Sequence, residues 1–338
     1  MTDFLLPTSQ SDLDGLVAQR PGEVKLGQRL HLSGSSPDYR EAARAGVKYV
    51  LLGVPEQTGP KANLGKGGAH LGWDAFLQAF VNLQSNLLFT GEQVMVAGQM
   101  DCQSSKALTD LESLRHHCAE LDERLVVTLT PIFQAGLIPI IIGGGHNNAY
   151  GAIKACSQVL NTSLAVSNFD PHADFRAMEG RHSGNPFRYA HHEGFLSHYA
   201  VLGLHEQKNS QEALDALKEQ GFPWYSVQQI SWRRELTLAR AIGHVGHYLL
   251  SSGMPVGIEL DMDAISEMPT SAITRAGMSL DDALYYVDQI GRQPAVKYLH
   301  LAEAAPERHP AGEKAGMRVT GQALAELVSG FIKAHDDD

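Results

Sequence analysis

Residues 163–176 read SLAVSNFDPHADFR: a short apolar run rich in strand formers ends abruptly in Asp170, His172 and Asp174, three metal-ligand side chains at every second position. A strand that is apolar throughout, rather than alternating, belongs in the middle of a sheet covered on both faces. Further such runs lie at 48–54 (KYVLLGV), 94–98 (VMVAG), 137–142 (LIPIII), 199–204 (YAVLGL), 224–227 (WYSV), 255–260 (PVGIEL) and 295–302 (AVKYLHLA). Helix-like amphipathic segments lie between or beyond them, near 105–135, 147–160, 209–220, 234–251, 279–292 and 320–335. Strands alternating with helices make a parallel sheet with crossover helices. The expected fold is a three-layer α/β/α domain with a mostly parallel eight-stranded sheet. Residues 1–45 carry no pattern that assigns them. Residues 46–338, without repeat, linker or composition break, read as one catalytic domain.

In such sheets ligands bind beyond the carboxyl ends of the strands. Those positions here are rich in one chemistry. After the run at 137–142 comes GGGHNNAYG with His146; after 163–169 come Asp170, His172 and Asp174; after 255–260 come Asp261 and Asp263. Residues two apart in extended chain face one side, so each set is expected to converge on a point. Taken singly, an Asp after a strand is ordinarily a turn or a helix cap. Four carboxylates gathered in one cleft repel unless cations neutralise them, and two divalent ions carry the charge required. A set of four carboxylates and two imidazoles without a thiolate suits manganese better than zinc, with nickel and iron remaining open.

Composition removes other classes. The chain of 338 residues has 38 acids against 27 bases, a net charge of −11, and no dense basic cluster to follow a phosphate backbone, so nucleic acid is not an expected partner. Cys102, Cys118 and Cys156 show no metal or disulfide spacing, and the first residues lack the order of a secretory signal, so a cytoplasmic location is expected. About 21 residues from Leu125 to Gly145 carry no charge, but Pro131, Gln134 and Pro139 interrupt them. They read as a helix end and a buried strand, not a membrane span. GKGGAH lacks the hydroxyl that a phosphate loop places after its lysine.

The motifs GGGH (143–146), DPHAD (170–174) and DMD (261–263), in that order, resemble those of the arginase, agmatinase and formimidoylglutamase superfamily, the ureohydrolases. LAEAAP (301–306) resembles that family's late Glu-x-x-Pro. The resemblance implies an arginase-like fold and two manganese ions on His146, Asp170, His172, Asp174, Asp261 and Asp263. It implies a hydroxide that attacks an amidine or guanidine carbon, Asp174 as the proton relay and Glu303 as the partner of the cationic nitrogens. Gly145, where arginases and agmatinases usually carry Asp, points to the formimidoylglutamase branch. HSGNPFR (182–188) places Ser183, not a histidine, where arginases keep a proton-shuttling His.

Arg176, Arg181 and Arg188, with Asn185 among them, suggest a substrate bearing carboxylates, since guanidinium forks bind these well. Asn63 and Lys66, in the glycine-rich 59–76 stretch, are further candidate contacts. N-formimidoyl-L-glutamate is the expected substrate; agmatine, arginine or another guanidino acid is the alternative, and a metal-binding paralogue without catalysis a second. The sequence leaves the oligomeric state open, a homo-oligomer included.

Overall fold

A computed structural model of the chain describes residues 4–103 and 107–336. Its ten strands are β1 (Leu5–Pro7), β2 (His31–Leu32), β3 (Tyr49–Gly53), β4 (Val94–Met100), β5 (Ile138–Ile142), β6 (Leu164–Phe169), β7 (Leu196–Leu204), β8 (Trp224–Ser226), β9 (Val256–Asp261) and β10 (Val296–Ala302). They form one sheet in the order β1-β4-β3-β5-β10-β9-β6-β7-β8, with β2 also paired to β4. Every pairing is parallel except that of β1 with β4.

The sheet therefore has ten strands, not eight. All eight expected strands are present, and the two additions come from the unassigned first 45 residues. Strands of two and three residues are too short to carry a readable period. The long helix near 105–135 runs over Leu111–Gln134, and residues 105 and 106 lie outside the described ones. The glycine-rich 59–76 stretch contains the helix Thr58–Ala62 almost entirely and the start of Gly72–Phe80.

Helices cover both faces. On one, Phe76, Val245, Val287 and Phe331 pack with Leu51, Ile140 and Leu299; on the other, Leu125, Ile153 and Phe187 pack with Val50, Leu52 and Ile141. Neighbouring strand residues alternate between the two cores, as the pleat requires. The uncharged 125–145 segment divides between a helix and β5, and no described helix is long and apolar enough to cross a membrane. All three cysteines are buried free thiols.

Candidate metal centre

The four strands β5, β10, β9 and β6 are neighbours at the middle of the sheet and run parallel, so their carboxyl ends open on one side. His146 follows β5, Glu303 follows β10, Asp261 ends β9, and Asp170 follows β6. Topology alone thus brings four distant segments to one point.

His146 Nδ1 lies 2.9 Å from Asp174 Oδ2, 3.1 Å from Asp170 Oδ2 and 3.5 Å from Asp261 Oδ2. One imidazole nitrogen cannot serve three carboxylates with a single proton, and neither ring nitrogen of this fully buried histidine has a hydrogen-bond partner. His172 Nδ1 lies 3.4 Å from Asp170 Oδ1 and 3.9 Å from Asp263 Oδ2. The donors fall into two cages, His146 with Asp170, Asp174 and Asp261, and His172 with Asp261 and Asp263; within each, all donor atoms lie within 4.8 Å of one another. Asp261 belongs to both. An orphaned imidazole facing clustered carboxylates fits a bound cation in the His146 cage, and the donor set of His172, Asp261 and Asp263 fits a second.

The convergence does not arise from extended chain, as the alternating spacing suggested. Asp170 has left the strand: its Oδ1 accepts the His172 N–H at 2.7 Å, turning the chain at once, and Asp174 sits at a left-handed φ of 43°. Asp263 is likewise in a short 3-10 turn after β9, its N–H donated to Asp261 Oδ1 at 2.7 Å. Glu303 is also left-handed, at φ 64°. Strained backbone at non-glycine positions is tolerated where surrounding structure enforces it, and such positions cluster at functional sites.

The electrostatics agree with a cation site. Burial, then the charges of Asp263 and Asp170, hold the Asp261 carboxyl well above its usual range. Burial, followed by Asp261 and Asp263, does the same to Glu303, and burial with Asp170 raises Asp174. Burial opposes protonation of His146, but Asp170, Asp174, Asp261 and Glu259 outweigh it and push the imidazole well up. Burial likewise opposes charge on His172, yet Asp170 brings it up to about 9. Asp170 goes the other way: burial opposes its charge, but His146 and His172 hold its carboxyl well below the usual range. The crowding is thus met by protons on Asp261, Asp174 and Glu303 and by charge on the two histidines.

Two buried acids support the cages and were not singled out in the sequence. Glu56, just beyond β3, accepts from the N–H groups of Gly145 (2.6 Å), Thr58 (2.5 Å) and Gly59 (3.2 Å) and from Asn148 Nδ2 (2.8 Å). It fastens the turn that presents His146. Gly144 there has φ 73°, and a Cβ would lie 2.9 Å from Glu56 Oε1. Glu259, inside β9, accepts from His300 Nδ1 at 2.6 Å and Tyr298 Oη at 2.8 Å, and approaches His146 Nε2 to 3.4 Å. A lone acid within an apolar strand, two residues before Asp261, was the signal for it.

Above the cages lies a cavity of about 550 Å³ whose wall includes His172, Asp174, Asp261, Asp263 and Glu303, with Asn63, Arg176, Ser183 and Lys208. Glu303 is held in place: its Oε1 accepts the His146 N–H at 2.9 Å and its Oε2 accepts from Ser271 Oγ at 3.0 Å. Arg176 donates to Asn63 Oδ1 at 3.2 Å and pairs with Glu179 at 2.9 Å.

Three expected substrate contacts lie elsewhere. Arg181 is buried, its guanidinium bonded to Asp122 (2.8 Å), Asn185 Oδ1 (2.7 Å) and the Asn147 carbonyl (3.1 Å), and flanked by the rings of Tyr150 and Tyr189. Asn185 donates to the carbonyls of Ala177 and Gly180. Both brace the loop after the metal motif rather than lining the cavity, because their polar groups are committed internally. Arg188 pairs with Glu212 at 3.1 Å and is not among the lining residues. Ser183 faces the cavity while His182 turns away, its Nδ1 accepting the Gly184 N–H at 3.1 Å.

Residues 47–330 match the arginase family. Among curated proteins, a formimidoylglutamase of Hahella chejuensis is 31% identical over 227 residues, 63% of each chain. One of Ralstonia nicotianae is 25% identical over 320 residues, 91% of this chain and 92% of that protein. The solved formimidoylglutamase of Bacillus subtilis superposes with a TM-score of 0.75 over 94% of this chain and 93% of that one, at 22% identity. A Trypanosoma cruzi formiminoglutamase solved with Mn2+ does so at 0.70 over 91% of this chain and 98% of its own, at 21% identity.

Proposed function

The chain belongs to the arginase family, and from that membership we propose that it is a dimanganese hydrolase cleaving a C–N bond of a linear amidine, N-formimidoyl-L-glutamate, to L-glutamate and formamide. The observation that carries this reading is the pair of ligand cages sharing Asp261 on the wall of a cavity that also holds Glu303. Relatives named formimidoylglutamase support the substrate.

In this reading His146, Asp170, Asp174 and Asp261 hold one ion, and His172, Asp261 and Asp263 hold the other, with Asp170 in reach of both histidines. Two adjacent divalent ions make water acidic enough to supply hydroxide near neutral pH. Glu303, fixed by the His146 N–H and Ser271, pairs with the cationic nitrogens and holds the amidine carbon facing the cages. Asp174 Oδ2 faces His146, which leaves Oδ1 to take the proton released as oxygen adds to that carbon. The bond from the carbon to the glutamate nitrogen then breaks, and Asp174 returns the proton to the leaving amine. Asn63 and Arg176 remain substrate contacts; Arg181, Asn185 and Arg188 act through the surrounding structure.

The test is a rate assay of manganese-reconstituted protein with N-formimidoyl-L-glutamate, agmatine, arginine and guanidinobutyrate, beside Asp261→Ala. Metal-dependent turnover of the first substrate alone is the expected result. Turnover of a guanidino compound alone would keep the site and replace the substrate, and no turnover with both ions bound would favour a non-catalytic paralogue.

A further inference from the structure

The cavity wall carries three basic side chains, His172, Arg176 and Lys208. His172 faces Asp170 and Asp263, and Arg176 is engaged by Glu179 and Asn63. Lys208 differs. Among the described residues its ammonium meets no carboxylate, although the chain is acidic overall.

Its backbone is held firmly. The Lys208 N–H donates to the His205 carbonyl at 3.0 Å. The next residue, Asn209, accepts from the Ala173 N–H at 2.7 Å and donates to the Pro171 carbonyl at 3.0 Å, stapling this loop to the one that presents Asp170, His172 and Asp174. Ser210 then caps the helix Gln211–Glu219. Lys208 is half-buried on the cavity wall, and among the described residues its ammonium has no carboxylate partner. It also borders a second compartment, continuous with the first at His172, Ser271 and Ala272, where Lys66 stands as another cation without an acidic partner among the described residues.

The cavity is thus polar along its length. Glu303, Asp261 and Asp263 make one part of its wall a place for a cation. In the other part Glu307 is paired with Arg308 at 3.3 Å, which leaves Lys208 and Lys66 as the net charge and makes it a place for an anion. A molecule with a cationic amidine head and an anionic tail matches both, whereas agmatine would put its terminal ammonium against the lysines.

We propose that Lys208 is the specificity-determining residue of this cavity, its ammonium binding a tail carboxylate of an amidino acid, with Lys66 as the second cation of the same subsite. The inference rests on the amidine-hydrolase reading above and names what selects the tail. Lys208 has no part in bond cleavage, so its removal weakens binding more than turnover.

The experiment compares wild type, Lys208→Met, Lys208→Arg and Lys208→Glu, all manganese-loaded, in steady-state kinetics with N-formimidoyl-L-glutamate and agmatine. Calorimetric titration with L-glutamate, which carries the same two carboxylates, accompanies it. Lys208→Met is expected to raise KM for the anionic substrate about five- to tenfold, as for loss of one partly exposed charge pair, with kcat within about twofold. Lys208→Arg restores it, Lys208→Glu shifts preference toward agmatine, and L-glutamate binding weakens in parallel with KM. If wild type prefers N-formimidoyl-L-glutamate and Lys208→Met keeps its KM and its glutamate affinity, this inference falls and the functional reading stands. If wild type turns over agmatine alone, both fall. If wild type turns over neither, the functional reading falls, and equal glutamate affinity in wild type and Lys208→Met would overturn the subsite as well.

Discussion

Glu259 Oε2 stands 3.4 Å from Nε2 of His146, while the Nδ1 of the same ring faces Asp170 and Asp174 at 3.1 and 2.9 Å. Acids therefore flank the ring at both nitrogens without hydrogen-bonding it, and Glu259 is itself fixed by His300 and Tyr298. A carboxylate behind a ligand histidine sets its tautomer and raises its basicity toward metal. Glu259→Gln is expected to weaken manganese binding by about tenfold or more, read by metal titration and by the metal retained after dialysis. Unchanged affinity would show that the strand alone orients His146.

Arg181 makes its bonds inside the protein, and its removal leaves Asp122 as an uncompensated buried carboxylate. Burial already pushes the Asp122 carboxyl up to about 7 despite the arginine beside it. Arg181→Ala is expected to cost about 3–5 kcal/mol in urea unfolding, and the double change with Asp122→Leu substantially less. A stable Arg181→Ala protein with a raised KM would instead return this arginine to the substrate.

Much of this was legible in the sequence because parallel strands are buried on both faces and so write themselves as unbroken apolar runs, as in IPIII of β5. The six metal-ligand types could be picked out because they stand where those runs stop. Their geometry could not: the turn at Asp170 and the left-handed Asp174 depend on contacts such as Asn209 with Ala173, made across the fold. The arginines part for the same reason, Arg176 on the cavity wall and Arg181 and Arg188 away from it. Arg176, Arg181 and Arg188 are alike in sequence, but Asp122 lies 59 residues from Arg181 in the chain and decides its fate. Lys208 carried no motif and became visible only when the β7 loop was seen against the metal loop.

His182 supplies a pH dependence of stability. Its Nδ1 accepts the Gly184 N–H, so protonation there would lose that bond. Burial, with the charges of Arg176 and Arg115, brings the imidazole down to about 4. Between that value and the ordinary 6.5 or so of an unfolded chain, the unfolded state binds the extra proton, and stability falls as pH falls. From pH 7 to pH 5 the wild type is expected to lose about 1–2 kcal/mol more than His182→Gln, measured by denaturant unfolding. Equal losses in the two proteins would mean that the histidine charges in place.

The sharing of Asp261 between the cages makes the four carboxylates unequal. Asp174 belongs to the His146 cage and Asp263 to the His172 cage, so Asp174→Ala and Asp263→Ala are each expected to remove one of two manganese equivalents, from opposite sides. Asp261→Ala weakens both cages at once and is expected to leave less than one equivalent after dialysis, with turnover reduced at least about a thousandfold as the nucleophile is lost. Metal analysis of the three variants, with thermal unfolding in the presence and absence of manganese, reads the pattern directly. In wild type, manganese at 100 times its dissociation constant is expected to add about 2.7 kcal/mol of stability per site. Asp261→Ala is expected to lose that increment, whereas each of the other two keeps part of it. Equal metal content across all three variants would break the assignment of Asp261 to both cages.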